Sequence, residues 1–267
     1  MSVKTIEFNV KENKQLINFL KKFPAVDNSV LLEINGKKQL FVANTYDSER
    51  TFVKRVINNF SDTNITIKNK FEDTIKVGIY NIPRLIKILE QFNKEFEFII
   101  KYDEIINKNN EKEYAALSIL IKNKELKFNN ECSSLNVFNY IPEETWNNVI
   151  CNIDSNMEFE LSKENMDKVS SLCNLDKDYK FLEFKCKNSN IYVKGKLFEY
   201  LLSTCKSSDH LLEFYKDQFN KIDIENYTVK MGSDRLLLIS RDSDTTVVMS
   251  KVEKNEDYEE TNEDPFN

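Results

Sequence analysis

An α+β chain of two similar halves, each carrying antiparallel sheets and two helices, is the architecture that the sequence predicts. Three observations lead there. Short runs rich in β-branched and aromatic residues recur along most of the 267 residues. Only four glycines and four prolines interrupt them, so regular structure should dominate over linkers. The third observation is a repeat: "IEFNVKENKQLINFL" from Ile6 resembles "MEFELSKENMDKVSSL" from Met157, with one residue inserted before the second helix. Each copy reads as an aliphatic-Glu-Phe strand followed by Lys-Glu-Asn opening an amphipathic helix. A second match keeps the same order, Gln91-Phe92-Asn93-Lys94 and Gln218-Phe219-Asn220-Lys221, both at a helix end before strands.

In the first half a strand at 5–10 leads into a helix over 11–23. Strands follow at 29–34, 39–43, 51–57, 64–68 and 74–80, short and β-branched as half-buried strands are. Asn81 is a cap candidate and Pro83 lies in the first turn of a helix over 82–93. Strands at 95–102, 114–122, 124–129 and 133–138 complete residues 1–138 as one domain. The stretch "FNYIPEETWNNVICNIDSN" lacks a clean period and carries Pro142, so residues 139–156 read as an interdomain connector. The second domain, 157–252, opens with a strand at 157–161 and a helix over 163–173 capped by Ser162. Strands at 180–187, 190–194 and 196–204 precede a second helix at about 209–221, and strands at 226–232, 235–240 and 244–252 close it. Turns are expected at Gly232-Ser233-Asp234 and Asp242-Ser243-Asp244.

Charge is unevenly placed. The net charge is −6, and the tail 253–267 holds seven acidic residues against one lysine, so residues 1–252 sum to about zero. Such a tail reads as solvated and disordered. Lysines outnumber arginines 33 to 5, a bias that an AT-rich coding sequence produces by itself. The five cysteines form no C-x-x-C pair, which argues against both a disulfide framework and a zinc site. No leader-like apolar core opens the chain and no run reaches the length of a membrane span, so a soluble intracellular protein is expected.

The helices carry the more specific signal. Lys11, Lys14, Asn18 and Lys21 follow helical spacing on one side of the first helix, with Lys22 beside them, opposite Leu16, Phe19, Leu20 and Phe23. Arg84, Lys87, Gln91 and Lys94 form a like stripe opposite Leu85, Ile86, Leu89 and Phe92. In the second half the charge is mixed: Lys163 and Lys168 share their arc with Glu164 and Asp167, Lys216 and Lys221 with Glu213 and Asp217. Basic faces without interleaved aromatics suit phosphates rather than base edges, giving sequence-independent, salt-sensitive contact. Catalysis finds little support. His210 is the one histidine, no nucleophile or second histidine is spaced to work with it, and no glycine-rich phosphate loop exists. No metal or cofactor is expected.

Taken together, "KVGIYNIPRLIKILEQF" (76–92), "MEFELSKENMDKVSSLCNL" (157–175) and "YTVKMGSDRLLLISRDSDTTVVMSKVE" (227–253) make the chain resemble the sliding clamps of the proliferating cell nuclear antigen type, especially the shorter clamps of tailed bacteriophages. That resemblance implies a DNA-clamp fold, a head-to-tail homotrimeric ring, and helices lining a hole around duplex DNA. It makes Lys11, Lys14, Lys21, Lys22, Arg84, Lys87, Lys94, Lys163, Lys168, Lys216 and Lys221 the candidates for DNA contact. It also implies a DNA polymerase docking through a short apolar peptide beneath the connector, at Tyr46, Phe52, Ile141, Pro142, Val247 and Met249. An ATP-driven loader would open the ring, whose edges would be the strands at 124–138 and 196–204. The alternatives are a monomeric DNA-binding accessory protein, an enzyme built around His210, and a non-catalytic virion or scaffold protein.

Overall fold

The computed structural model describes residues 3–107, 110–154, 157–175, 179–205, 210–240 and 244–249. Two compact units emerge: Met1–Thr45 with Arg55–Tyr140, and Tyr46–Lys54 with Ile141–Asn267. The connector expected at 139–156 thus belongs mostly to the second unit, as does the segment Tyr46–Lys54. The acidic tail lies outside the described residues.

The first unit runs β1 (Lys4–Val10), α1 (Asn13–Lys21), β2 (Val30–Asn35), β3 (Leu40–Tyr46), β4 (Phe52–Asn59), β5 (Ile65–Ile67), β6 (Thr74–Ile79), α2 (Ile82–Leu89), β7 (Phe96–Ile106), β8 (Lys112–Lys122) and β9 (Lys127–Glu131), the ends of β3 and the start of β4 reaching into the second. Its sheet follows the order β3-β2-β6-β8-β7-β1-β5, with β9 on β8. Every pairing is antiparallel except β6 with β8, which run parallel through Ile75↔Tyr114 and Lys76↔Ala115. Along β1, Ile6, Phe8 and Val10 are buried while Glu7 and Asn9 are not, the alternation of a strand with one face on a core. Phe8 meets Phe41, Phe60 and Phe98 at ring-centroid distances of 6.2, 5.7 and 6.4 Å. Onto this core α1 lays Leu16, Ile17, Phe19 and Leu20, and α2 lays Ile82, Leu85, Ile86 and Leu89. Each such side chain contributes about 1.5–3 kcal/mol on burial, which is what stabilises helices too short to persist alone.

Two asparagines finish the helix ends. Asn81 Oδ1 accepts from the Arg84 N–H at 2.9 Å, the N-cap read from the sequence. Asn13 Nδ2 donates to Phe92 O at 2.8 Å, just past the end of α2, and at 3.0 Å to Leu89 O, which also accepts from the Phe92 N–H. The repeat places Asn165 similarly: its side chain donates to Leu202 O at 2.8 Å and accepts from the Tyr200 hydroxyl at 2.9 Å. In both halves the Asn of Lys-Glu-Asn ties a helix start to a neighbouring element.

The second unit comprises α3 (Glu143–Thr145), a π-turn at Trp146–Ile150, β10 (Met157–Leu161), α4 (Lys163–Leu175), β11 (Phe181–Lys187), β12 (Asn190–Lys194), β13 (Glu199–Thr204), β14 (His210–Tyr215), α5 (Lys216–Phe219), β15 (Tyr227–Met231), β16 (Arg235–Ser240) and β17 (Thr245–Met249). One antiparallel sheet is ordered β10-β15-β16-β17 and the other β13-β12-β11-β14. Beyond β17 the Met249 N–H donates to Thr51 O at 2.9 Å, so the Tyr46–Lys54 segment extends the first of these sheets. Ser162 caps α4 as expected, its Oγ accepting from the Asn165 N–H at 3.1 Å.

Four elements differ from the sequence reading. The helix expected at 209–221 is the strand β14 followed by the single turn α5. "HLLEFY" alternates: Leu212 and Phe214 are buried whereas Leu211 is 54% exposed, and β14 pairs with β11 along its whole length. The strand expected at 133–138 is instead a 3-10 turn at Leu135–Val137. There the Ser134 hydroxyl bonds Asn136 Oδ1 at 2.6 Å, the local side-chain bonding that competes with a ladder, and Val137 is 58% exposed. The first-half helices are also shorter than expected, with Lys11 ahead of α1 and Gln91 to Lys94 past the end of α2. The Asp242-Ser243-Asp244 turn falls partly outside the described residues.

Gly78 in β6 allows the segment after β9 to close on the sheet. A Cβ there would come within 2.4 Å of the Phe138 ring and 2.7 Å of Ser133 O. The ring can turn, but the carbonyl belongs to backbone. Gly78→Ala should therefore cost about 1–3 kcal/mol in denaturant unfolding, and adding Phe138→Ala should recover only part of it.

Candidate nucleic-acid and peptide interface

The first-unit helices present the basic faces that their spacing predicts. Lys11, Lys14, Lys21, Arg84, Lys87 and Lys94 are exposed, opposite the buried stripes of α1 and α2. Lys21 lies 3.7 Å from Glu90; the other five form no ion pair among the described residues. Lys22 is half-buried at the C-cap of α1, its N–H donating to Leu20 O and Phe19 O. On α4, Lys163 and Lys168 are exposed, in the company of Glu164 and Asp167 and opposite Met166, Val169 and Cys173. Lys216 is half-buried at the start of α5. Lys221 lies past the end of that turn, with its ammonium 2.6 Å from the buried carboxylate of Asp47. Near Lys94 the charge is more evenly balanced: hydrogen bonds from Lys68 and Lys122 hold the Glu97 carboxyl below the usual carboxylate range.

The apolar residues named for partner docking gather in the second unit. Val53, Ile141, Trp146, Ile150, Leu237 and Val247 form a buried cluster, and Tyr46, Cys151, Ile153, Ile239 and Met249 pack against it, partly open to solvent. Pro142 is exposed at the start of the connector turn. Of the six sequence candidates, Ile141, Val247 and Phe52 are interior, while Tyr46, Pro142 and Met249 are reachable. Sequence reasoning missed Trp146, Ile150, Ile153 and Ile239. The lone tryptophan inside an otherwise polar connector, four residues before Ile150, was the available signal. Arg235 adds a lock, paired with Asp234 at 2.7 Å and donating to Val149 O at 3.1 Å.

His210 lies on β14, where its Nε2 meets Gly232 O at 3.0 Å, a bond that ties β14 to the turn after β15. Among the described residues no group of three His, Cys, Asp or Glu could hold a metal, and no helix is long and apolar enough to cross a membrane.

No protein-family model matches the sequence, and no curated protein matches it. Solved structures do. Proliferating cell nuclear antigen from Entamoeba histolytica superposes with a TM-score of 0.63 at 13% identity, over 92% of this chain and 99% of that one. A. fulgidus PCNA, solved with the C-terminal region of FEN-1, gives 0.62 at 11% identity over 94% and 100%. The Helicobacter pylori beta clamp, solved with a DNA ligase peptide, gives 0.65 at 15% identity over 94% of this chain and 66% of that one. This chain has the sliding-clamp fold. At such identities the likeness lies in the fold rather than in shared residues. Within it, β9 and β13 each pair on one side only among the described residues, which leaves a strand edge open in each unit.

Proposed function

We propose that this chain is a DNA sliding clamp, a ring-forming processivity factor that encircles duplex DNA without sequence specificity and tethers a DNA polymerase and other replication proteins. The observation that carries the reading is the set of exposed cations on α1, α2 and α4 in a chain with this fold. Lysine suits the task, since a mobile, hydrated point charge attracts phosphate without fixing the register. A closed ring then turns weak attraction into persistent attachment, and a tethered polymerase meets its template at high effective concentration. The mechanism involves no chemical step.

Closure would make a homotrimer through unlike edges, β13 of one subunit against β9 of the next, a heterologous contact that returns on itself. Half-exposed Leu201 on β13 and Leu126 beside β9 suit such a seam. An ATP-driven loader would open it. Partners would dock a short apolar peptide on Tyr46, Pro142, Ile239 and Met249, as the peptide-bound clamps among the solved structures suggest.

The test is topological. After loading, the protein should remain on closed circular DNA and leave linear DNA through its ends, with a solution mass of about three times 31.5 kDa. Equal retention on both forms, or a strict monomer, would sink the ring. Lys14→Glu with Lys87→Glu should shorten retention on circles about tenfold and flatten its salt dependence without lowering stability, since both side chains are exposed and form no ion pair among the described residues.

A further inference from the structure

The Gln-Phe-Asn-Lys motif occurs twice, and its two copies serve different ends. In the first, Gln91 Nε2 donates to Lys87 O of its own helix at 3.3 Å, and Lys94 is exposed. In the second, Gln218 is only 2% exposed, and its Nε2 donates outward to Thr51 O at 3.1 Å and Met249 O at 3.3 Å. Its Oε1 accepts from the Tyr215 N–H at 3.0 Å, which fixes the amide's orientation. Three residues on, Lys221 Nζ lies 2.6 Å from Asp47 Oδ2 and 5.8 Å from the centre of the Phe52 ring. Asp223 Oδ2 then accepts from Lys54 Nζ at 2.6 Å, and the Tyr227 hydroxyl donates to Asp223 O at 2.9 Å.

The contacts of the second copy lie within the second unit, and three of them hold one hairpin at its entry at Asp47, its return at Thr51 and its exit at Lys54. Asp47 passes the restraint on, because its Oδ1 accepts from the N–H groups of Thr51 at 2.8 Å and Phe52 at 3.1 Å. The hairpin carries Tyr46 and Val53, and the second carbonyl held by Gln218 belongs to Met249, so the same short segment sets two walls of the apolar site.

We infer that Gln218, Lys221 and Asp223 are positioning residues for partner-peptide docking, and that Lys221 serves this site rather than DNA. The inference rests on reading the apolar site as a peptide dock. A hairpin deprived of one anchor populates its docking geometry less often, and apparent affinity falls by that fraction.

The probe is a peptide selected on the wild-type protein from a library of short random peptides, chosen because Met249→Glu abolishes its binding. Lys221→Met keeps the aliphatic stem over Phe52 and removes the charge; it should weaken that peptide about tenfold while leaving retention on circular DNA unchanged. Lys221→Arg should restore affinity, and Gln218→Met, which deletes both donors at similar volume, should reproduce the loss. Unchanged peptide affinity in folded Lys221→Met and Gln218→Met would overturn the proposal. So would shortened DNA retention in Lys221→Met with peptide affinity intact, which would return Lys221 to the DNA face. If no selected peptide responds to Met249→Glu, the reading of the site falls first and this proposal falls with it.

Discussion

Asp223→Ala is expected to lower the unfolding free energy by about 3–5 kcal/mol, because it strands a charge that water cannot reach. Lys54 is 1% exposed, and Asp223 is the carboxylate that meets its ammonium, at 2.6 Å. The opposite truncation should be milder. Asp223 keeps a third of its side-chain surface in water, so Lys54→Met leaves a carboxylate that remains solvated. Pairing Lys54→Met with Asp223→Ala should recover most of the loss, since an apolar pair of similar volume often replaces a buried ion pair at little cost. Urea unfolding of the two single variants and the double variant gives the cycle. Equal costs for the two single changes would mean that Lys54 reaches solvent when its partner is removed, and the burial argument would fail.

That pair also marks where sequence reading ran out. The strand-helix opening, the Asn81 and Ser162 caps and the buried stripes of α1, α2 and α4 were legible because each is a local pattern with a fixed period. Lys54 shows nothing of its burial locally, since it is one lysine among thirty-three in a strand whose alternation is blurred by burial on both faces. Its partner stands 169 positions away. The same distance hid Lys221: its spacing matched a helical wet face, but the segment is a strand and one turn, and Asp47 claims the ammonium.

The apolar site was half legible for a related reason. The resemblance to the clamps supplied Tyr46, Phe52, Val247 and Met249, whereas period alone shows only that Val247 and Met249 alternate along β17 as one strand face does. The connector defeated that approach. Its Trp146–Ile150 segment is a π-turn, whose spacing matches neither the strand nor the α-helix template, so two interior side chains looked aperiodic. The turn is nonetheless closed at both ends, by Trp146 N–H to Pro142 O at 2.8 Å and Cys151 N–H to Trp146 O at 2.9 Å.

Trp146→Ala is accordingly the second large effect, expected to cost about 3–5 kcal/mol as a buried Trp truncation does. The indole is 3% exposed among Val53, Ile141, Ile150, Leu237 and Val247, drawn from the hairpin, the connector and two strands of one unit. Backbone turns on either side restrain collapse into the void, which favours the upper part of that range. Trp146→Phe keeps an aromatic plug and should cost distinctly less. Because Trp146 is the chain's one tryptophan, its emission in the wild type reports on this cluster alone, and denaturant titration should show it changing together with the far-ultraviolet dichroism of the folded state. If Trp146→Ala unfolded at the same urea concentration as the wild type, the connector turn would not be anchored by its indole, and the half-open surface at Tyr46, Ile239 and Met249 would lose the floor on which a docked peptide must rest.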